Sequence, residues 1–183
     1  QDNGVSIQEE IEKAVFQLTG EKTSLFGAGR TDSGVHAIGQ VAHFDLMKKF
    51  NTDNIRDGLN QHLRPNPIAI LDAKEVNDNF HARFSAITRT YQYFIINRRA
   101  PLTVDQHKAW CVFKKLNIKK MIIESKYFLG KHNFEAFRSI DCQANSAIKT
   151  IDKINIKETK KYIVITISAK SFLHSQVRII VGT

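Results

Sequence analysis

Apolar residues recur at helical spacing from the start of the chain. Ile7, Ile11, Ala14, Val15 and Leu18 fall on one stripe, preceded by the capping box Ser6-Ile-Gln-Glu9 and stopped by Gly20. This spacing predicts a first helix. Two short apolar runs, about 24–28 and 40–45, then flank a glycine-rich loop and read as strands. Thr52 is placed to cap a second helix carrying Ile55, Leu59 and Leu63, which Pro65 and Pro67 end. Residues 68–76 read as a further strand. The predicted order of the first half is α-β-β-α-β.

After the polar stretch 75–79 the period changes. Residues 87–97 alternate as a strand, with Tyr91, Tyr93 and Ile95 on one face. Asn117 opens a helix with Ile118, Met121, Ile122 and Ser125 inward, which ends near Gly130. Strands over 147–157 and 162–169 follow, joined by a turn at 158–161. A last helix carries Leu173, Val177, Ile180 and Val181. This order is β-α-β-β-α. Each half therefore reads as a split β-α-β-β-α-β unit with one end strand absent, the first in one half and the last in the other. An α+β fold is expected, with halves at 1–78 and 79–183, a largely antiparallel sheet and helices on one face. A sheet missing an end strand leaves an apolar edge, so the sequence also reads as a piece of a longer polypeptide.

The stretch "LFGAGRTDSGVHAIGQVAHF", residues 25–44, breaks this regular pattern. Three glycines surround Arg30, Thr31 and Asp32 between two strand-like runs. It is either a hairpin with a polar tip or a loop that holds one carboxylate against a substrate's backbone. Composition narrows the partners. Of the 183 residues 42% are hydrophobic, enough for one or two small cores. Lys and Arg number 27 against 18 Asp and Glu, a net charge of +9 and a pI near 9.6. That balance suits a polyanion, most simply nucleic acid, although the basic residues are scattered and a solvated surface would read the same way. No apolar run approaches the roughly 18 residues of a membrane span. The opening does not read as a signal peptide. Cys111 and Cys142 make neither a disulfide framework nor a zinc set, as expected of reduced thiols in the cytoplasm.

On residue types alone, a turn aspartate more often accepts backbone hydrogen bonds than performs chemistry, and Arg30 could be its ion-pair partner. His36 and His43 with Asp32 do not make a ligand spacing, so no metal is expected. Tyr91 reads in the first place as a sheet-packing aromatic beside Tyr93. Phe134, Phe137 and Trp110 read as packing. A non-catalytic RNA-binding module is one rival, but it has no use for a carboxylate in a phosphate-facing basic loop. An aspartate-dependent phosphotransferase built on "TDSG" is another, but it wants a second carboxylate and magnesium, and no acidic residue follows Asp32 before Asp45.

"GAGRTDSGVHAIGQVAHF" closely resembles the active-site signature of the tRNA pseudouridine synthase A family, with Ser33 where alanine is commoner. Three further segments agree in order: "NFHARFSAITRTYQYFI" (79–95), "GKHNFEAFR" (130–138) and "SFLHSQVRIIVG" (171–182). The resemblance covers essentially the whole chain, apart from the family's first strand and final segment. It implies two ferredoxin-like halves and a homodimer. It also implies isomerisation of uridine to pseudouridine in the tRNA anticodon stem-loop, without cofactor or metal. By it Asp32 is the catalytic aspartate, Tyr91 the active-site tyrosine and Arg178 the arginine of the H-x-x-V-R element. Chemistry then gives the neighbours their roles. The target base must be flipped out of its stem, so glycines beside Asp32 let RNA backbone approach, and Arg30 can hold a phosphate or fill the place of the base. Arg178 offers Asp32 a bidentate partner, and Tyr91 a ring to stack on uracil. Arg83, Arg89, Lys131, His132 and Arg138 are candidates for the RNA groove.

Overall fold

Ser6 Oγ accepts the Glu9 N–H at 3.1 Å and opens helix α1 (Ile7–Thr19), which Gly20 closes in the left-handed conformation at φ +75°. The computed structural model describes residues 5–140 and 142–183, and the chain divides into two compact units, 1–86 and 87–183. In the first, α1 packs on α2 (Thr52–His62) around Ala14, Val15, Ile55, Leu59 and Leu63. Ile11 and Leu18 join them, but Ile7, expected on the same stripe, is 58% exposed in the first turn. The cap of α2 also differs from expectation. Asn51, not Thr52, holds it, accepting the Asp53 N–H on Oδ1 at 2.8 Å from an extended backbone.

The strands of this unit are shorter than their apolar runs. Only β1 (Phe26–Gly27) and β2 (Ala42–His43) pair, antiparallel, with Phe26 opposite His43. Residues 68–76, expected as a strand, join no ladder. The physical reason is Asn60 on α2. Its side-chain amide donates to the Ile70 carbonyl (2.9 Å) and accepts the Ile70 N–H (2.8 Å), doing with one side chain what a neighbouring strand would do. Ile68 and Ile70 still pack on the helical core, which is what their apolar pattern encoded. Carboxylates serve other extended backbone in the same way. Glu12 accepts the Leu25 N–H at 2.8 Å, and Glu21 accepts those of Met47 and Lys48 at 2.6 and 3.1 Å.

The second unit is a five-stranded sheet in the order β4-β3-β7-β6-β5. Its strands are β3 (Arg89–Asn97), β4 (Trp110–Val112), β5 (Gly130–Asn133), β6 (Ile148–Glu158) and β7 (Ile163–Ala169), antiparallel except for the β3–β4 pair. Strict alternation in β7 buries Ile163, Ile165, Ile167 and Ala169 on one face. Opposite the three isoleucines stand Ile95, Tyr93 and Tyr91. Helices α3 (Ile118–Ser125) and α4 (Gln176–Gly182) cover that face through Ile118, Met121, Val177, Ile180 and Val181. The fold is α+β. Strands β4 and β5 had no alternation long enough to be seen in the sequence. Ile122, expected inward on α3, is 40% exposed. Asn117 caps α3, accepting the Lys120 N–H at 3.0 Å.

A polar tie fixes the 98–109 connection. The Asp105 carboxylate is buried against the β6–β7 turn, where it accepts from Lys161 Nζ (2.9 and 2.8 Å) and from the Tyr162 hydroxyl (2.7 Å). The Lys161 hydrogen bond first, and that of Tyr162 second, hold the Asp105 carboxyl below its ordinary pKa.

Two measurements check these ties. Asn60→Ala strands both backbone groups of Ile70 and should cost about 1–3 kcal/mol, read as a lower urea midpoint at unchanged m-value. An unchanged midpoint would mean that water replaces the amide without loss. For Asp105 the folded pKa is lowered, so its contribution is present above the unfolded carboxylate value of about 3.9 and is lost as pH falls from there through the folded value. The melting-temperature gap between the wild type and Asp105→Asn should therefore be steady near neutral pH and close below about pH 4.

Candidate active site

Beyond the two paired residues of β1 and β2 the hairpin continues by one more bond, Ala28 N–H to the Val41 carbonyl at 2.8 Å. Gln40 Nε2 then donates to the Gly29 carbonyl at 3.0 Å and closes the neck of the loop. At its tip the Asp32 carbonyl accepts the Val35 N–H (3.1 Å), a tight turn completed by Gly34 at φ +78°. Asp32 is half-buried in this turn, while Arg30 and Ser33 are exposed. A stapled neck and a hydrogen-bonded tip make this more than a slack hairpin end.

The segment after residue 78 folds onto the base of that hairpin. Ala82 is buried and donates its N–H to His43 Nδ1 at 3.2 Å. The ring of His43 stacks on Phe26 (5.2 Å), meets His81 edge-on (4.6 Å) and has the edge of Phe80 at 6.0 Å. His81 lies on Phe84 at 4.4 Å, and its Nδ1 accepts the Arg83 N–H at 3.2 Å. Two of the motif segments, 27–44 and 79–86, thus meet in one unit. Arg83 is exposed beside them.

The second unit gathers the other motif segments. Tyr91 on β3 sits opposite Ile167 and is half-buried, with its ring edge-on to Phe172 at 5.2 Å. That contact joins the strand to the 171–182 segment. The guanidinium of Arg89, one turn of the pleat away, donates to the Lys170 carbonyl. The Ser139 N–H donates to the His174 carbonyl at 3.1 Å, tying the end of 130–138 to the same segment. Just before α4, Ser175 takes a left-handed conformation at φ +60°, an uncommon one for a non-glycine residue. The turn is held by Gln176, whose Oε1 accepts the Leu173 N–H at 2.8 Å. From α4 the buried side chains are Gln176 and Ile180, while Arg178 is exposed. Lys131 and His132 are exposed on edge strand β5, and Arg138 pairs with Glu135 at 3.0 Å.

Phe134 is buried and Phe137 packs beside it, the places expected of core residues. Among the described residues no group of three His, Cys, Asp or Glu side chains could hold a metal ion. Reading the sequence did not single out His81, and it weighed His43 only as a metal ligand. Both lie inside the motif segments 27–44 and 79–95, but nothing in those segments marks them as acceptors, because a ring nitrogen and its backbone donor are brought together by the fold.

The comparisons agree with the motif reading. A family model described as tRNA pseudouridine synthase matches residues 1–85 and 125–183. The chain is 49% identical over 183 residues to a protein of Maricaulis maris named tRNA pseudouridine synthase A, covering 100% of this chain and 74% of that one. A protein of the same name from Wolbachia pipientis wMel is 52% identical over 183 residues, covering 100% and 75%. One from Ehrlichia ruminantium (strain Gardel) is 50% identical over 181 residues, covering 99% and 74%.

The tip of the loop offers a direct test. A Cβ on Gly34 would meet nothing within 4 Å, so Gly34→Ala changes only backbone preference. At φ +78° that preference should cost about 1 kcal/mol and loosen the Asp32 turn. Hydrogen exchange at the Val35 amide should quicken relative to wild type. Unchanged exchange would show that the turn does not depend on glycine.

Proposed function

The chain belongs to the tRNA pseudouridine synthase family, and on that premise we propose that Asp32 carries the isomerisation of uridine to pseudouridine in tRNA. The observation that supports Asp32 in this role is its place in a half-buried, hydrogen-bonded turn at the tip of a stapled loop, with exposed Arg30 beside it.

The reaction is an isomerisation, so atoms and electrons balance within the substrate. The N1–C1′ bond breaks, the uracil turns, a C5–C1′ bond forms, C5 loses its proton and N1 gains one. A carboxylate serves this by attack on the uracil ring, by attack on C1′ or by moving the C5 proton. Each route requires the carboxylate to be held against an extruded base. Arg30, the exposed cation of the loop, takes a phosphate or the vacated base position. Tyr91 stacks on the uracil and offers its hydroxyl at C5, and Arg178 supplies a permanent cation for the Asp32 carboxylate. Arg83, Arg89, Lys131, His132 and Arg138 contribute to the RNA groove. The net charge of +9 supports a polyanionic substrate. The substrate region we propose is the anticodon stem-loop, and the working form a cytoplasmic homodimer in which each protomer has two ferredoxin-like halves. No helix among the described residues is long and apolar enough to cross a membrane.

Asp32→Asn is the deciding variant. Pseudouridine formation, mapped by mass spectrometry on tRNA, should fall to background while tRNA affinity stays within a few-fold, because the basic surface binds and the carboxylate reacts. Near-wild-type turnover would sink the assignment and leave an RNA-binding module as the better reading.

A further inference from the structure

We propose that His43 and His81 are positioning residues of this isomerase: His43 locks the base of the Asp32 hairpin to the segment that carries Arg83 by accepting the Ala82 N–H on Nδ1, and His81, packed on the His43 ring, sets the course of that segment by accepting the Arg83 N–H. The proposal rests on Asp32 as the reacting carboxylate and adds what holds its loop in place.

The argument begins with ring chemistry. An imidazole nitrogen accepts a hydrogen bond only when it carries no proton. His43 Nδ1 accepts from Ala82 and His81 Nδ1 accepts from Arg83, each at 3.2 Å. Both rings are thereby specified as neutral Nε2–H tautomers. The ring centroids lie 4.6 Å apart, a separation at which two imidazolium rings would repel. Phe26, Phe80 and Phe84 pack around the pair, and the guanidinium-bearing Arg83 is the charged side chain of the segment that bonds to it.

Position gives the pair its consequence. His43 is the last residue of β2, opposite Phe26 at the base of the hairpin, one pair away from Gly27 and Ala42 where the Asp32 loop leaves the ladder. The ladder, the Ala28–Val41 bond and the Gln40 staple hold the two arms of the hairpin to each other but tie its direction to no other part of the unit. The Ala82 bond adds that tie at the base of the hairpin, made by a side chain. His81 fixes the direction of the following residue, Arg83, by capturing its N–H. Loss of the His43 acceptor therefore lets the hairpin that carries Asp32 swing, and loss of the His81 acceptor lets Arg83 turn, without removing the reacting carboxylate.

The experiment separates the acceptor from the ring. In His43→Asn, Oδ1 is bonded to Cγ as Nδ1 is in histidine, so the acceptor is kept and the ring lost. In His43→Phe the ring is kept and the acceptor lost. The His43→Phe variant should lose on the order of tenfold or more in kcat, with KM for tRNA within about threefold, and His43→Asn should recover kcat to within about threefold of wild type. The 15N spectrum of the histidine rings, recorded on wild type and on Asp32→Asn, should show Nδ1 unprotonated at His43 and His81 near neutral pH. Equal kcat in the two His43 variants, or a protonated Nδ1 in either ring, overturns the proposal. Activity surviving in Asp32→Asn would overturn the catalytic reading instead, and the ring spectra stand apart from that outcome.

Discussion

Every extended backbone segment must place its N–H and C=O groups somewhere, and in the first unit the ladders are too short to take them. Two strands of two residues pair there. Side chains supply the rest: Asn60 serves both groups of Ile70, Glu12 takes Leu25, Glu21 takes Met47 and Lys48, and His43 takes Ala82. The unit's extended parts are therefore held to its helices and hairpin by specific residues. Leu25 and Ala82 are buried and Ile70 is half-buried, so an amide there that loses its partner costs more than an ordinary hydrogen bond is worth, whereas the Glu21 bonds to Met47 and Lys48 hold an exposed path.

The second unit solves the same problem conventionally. Seven residues of β3 pair with β7, and β6 pairs along the other edge of β7, so the central strands are satisfied by neighbours. Where the β3–β4 ladder runs out, Asn97 continues it. Its amide donates to the Val112 and Lys114 carbonyls at 2.7 and 2.8 Å and accepts the Leu116 N–H at 3.0 Å. On this firm sheet Tyr91 is placed by alternation alone, since it shares the face of Tyr93 and Ile95, opposite Ile167. The Phe172 edge then sets its ring against the segment that leads to Arg178.

This contrast explains what the sequence revealed and what it did not. Helix α1 was legible in full because a capping box, an apolar stripe and a stop glycine are local signals, and the long strands β3, β6 and β7 because alternation is local too. Residues 68–76, read as a strand on their apolar opening, formed no ladder, since apolar residues report burial against the α1–α2 core and not the identity of the hydrogen-bond partner. The three- and four-residue strands β4 and β5 are too short to show a period. Asp32, Arg30, Tyr91 and Arg178 stood out through the wording of their motifs, which is a property of the chain itself.

The sequence by itself determined the elements with local signals, the α+β class, the basic charge and the motif carrying Asp32. Those follow from residue type and spacing within a few turns of chain. The tertiary structure alone decided that Asn60 would replace a strand for Ile70, that Phe172 would meet Tyr91, and that the imidazole of His43 would receive an amide 39 positions away. These are pairings between distant groups, and neither partner carries any mark of the other until the chain has folded and buried both.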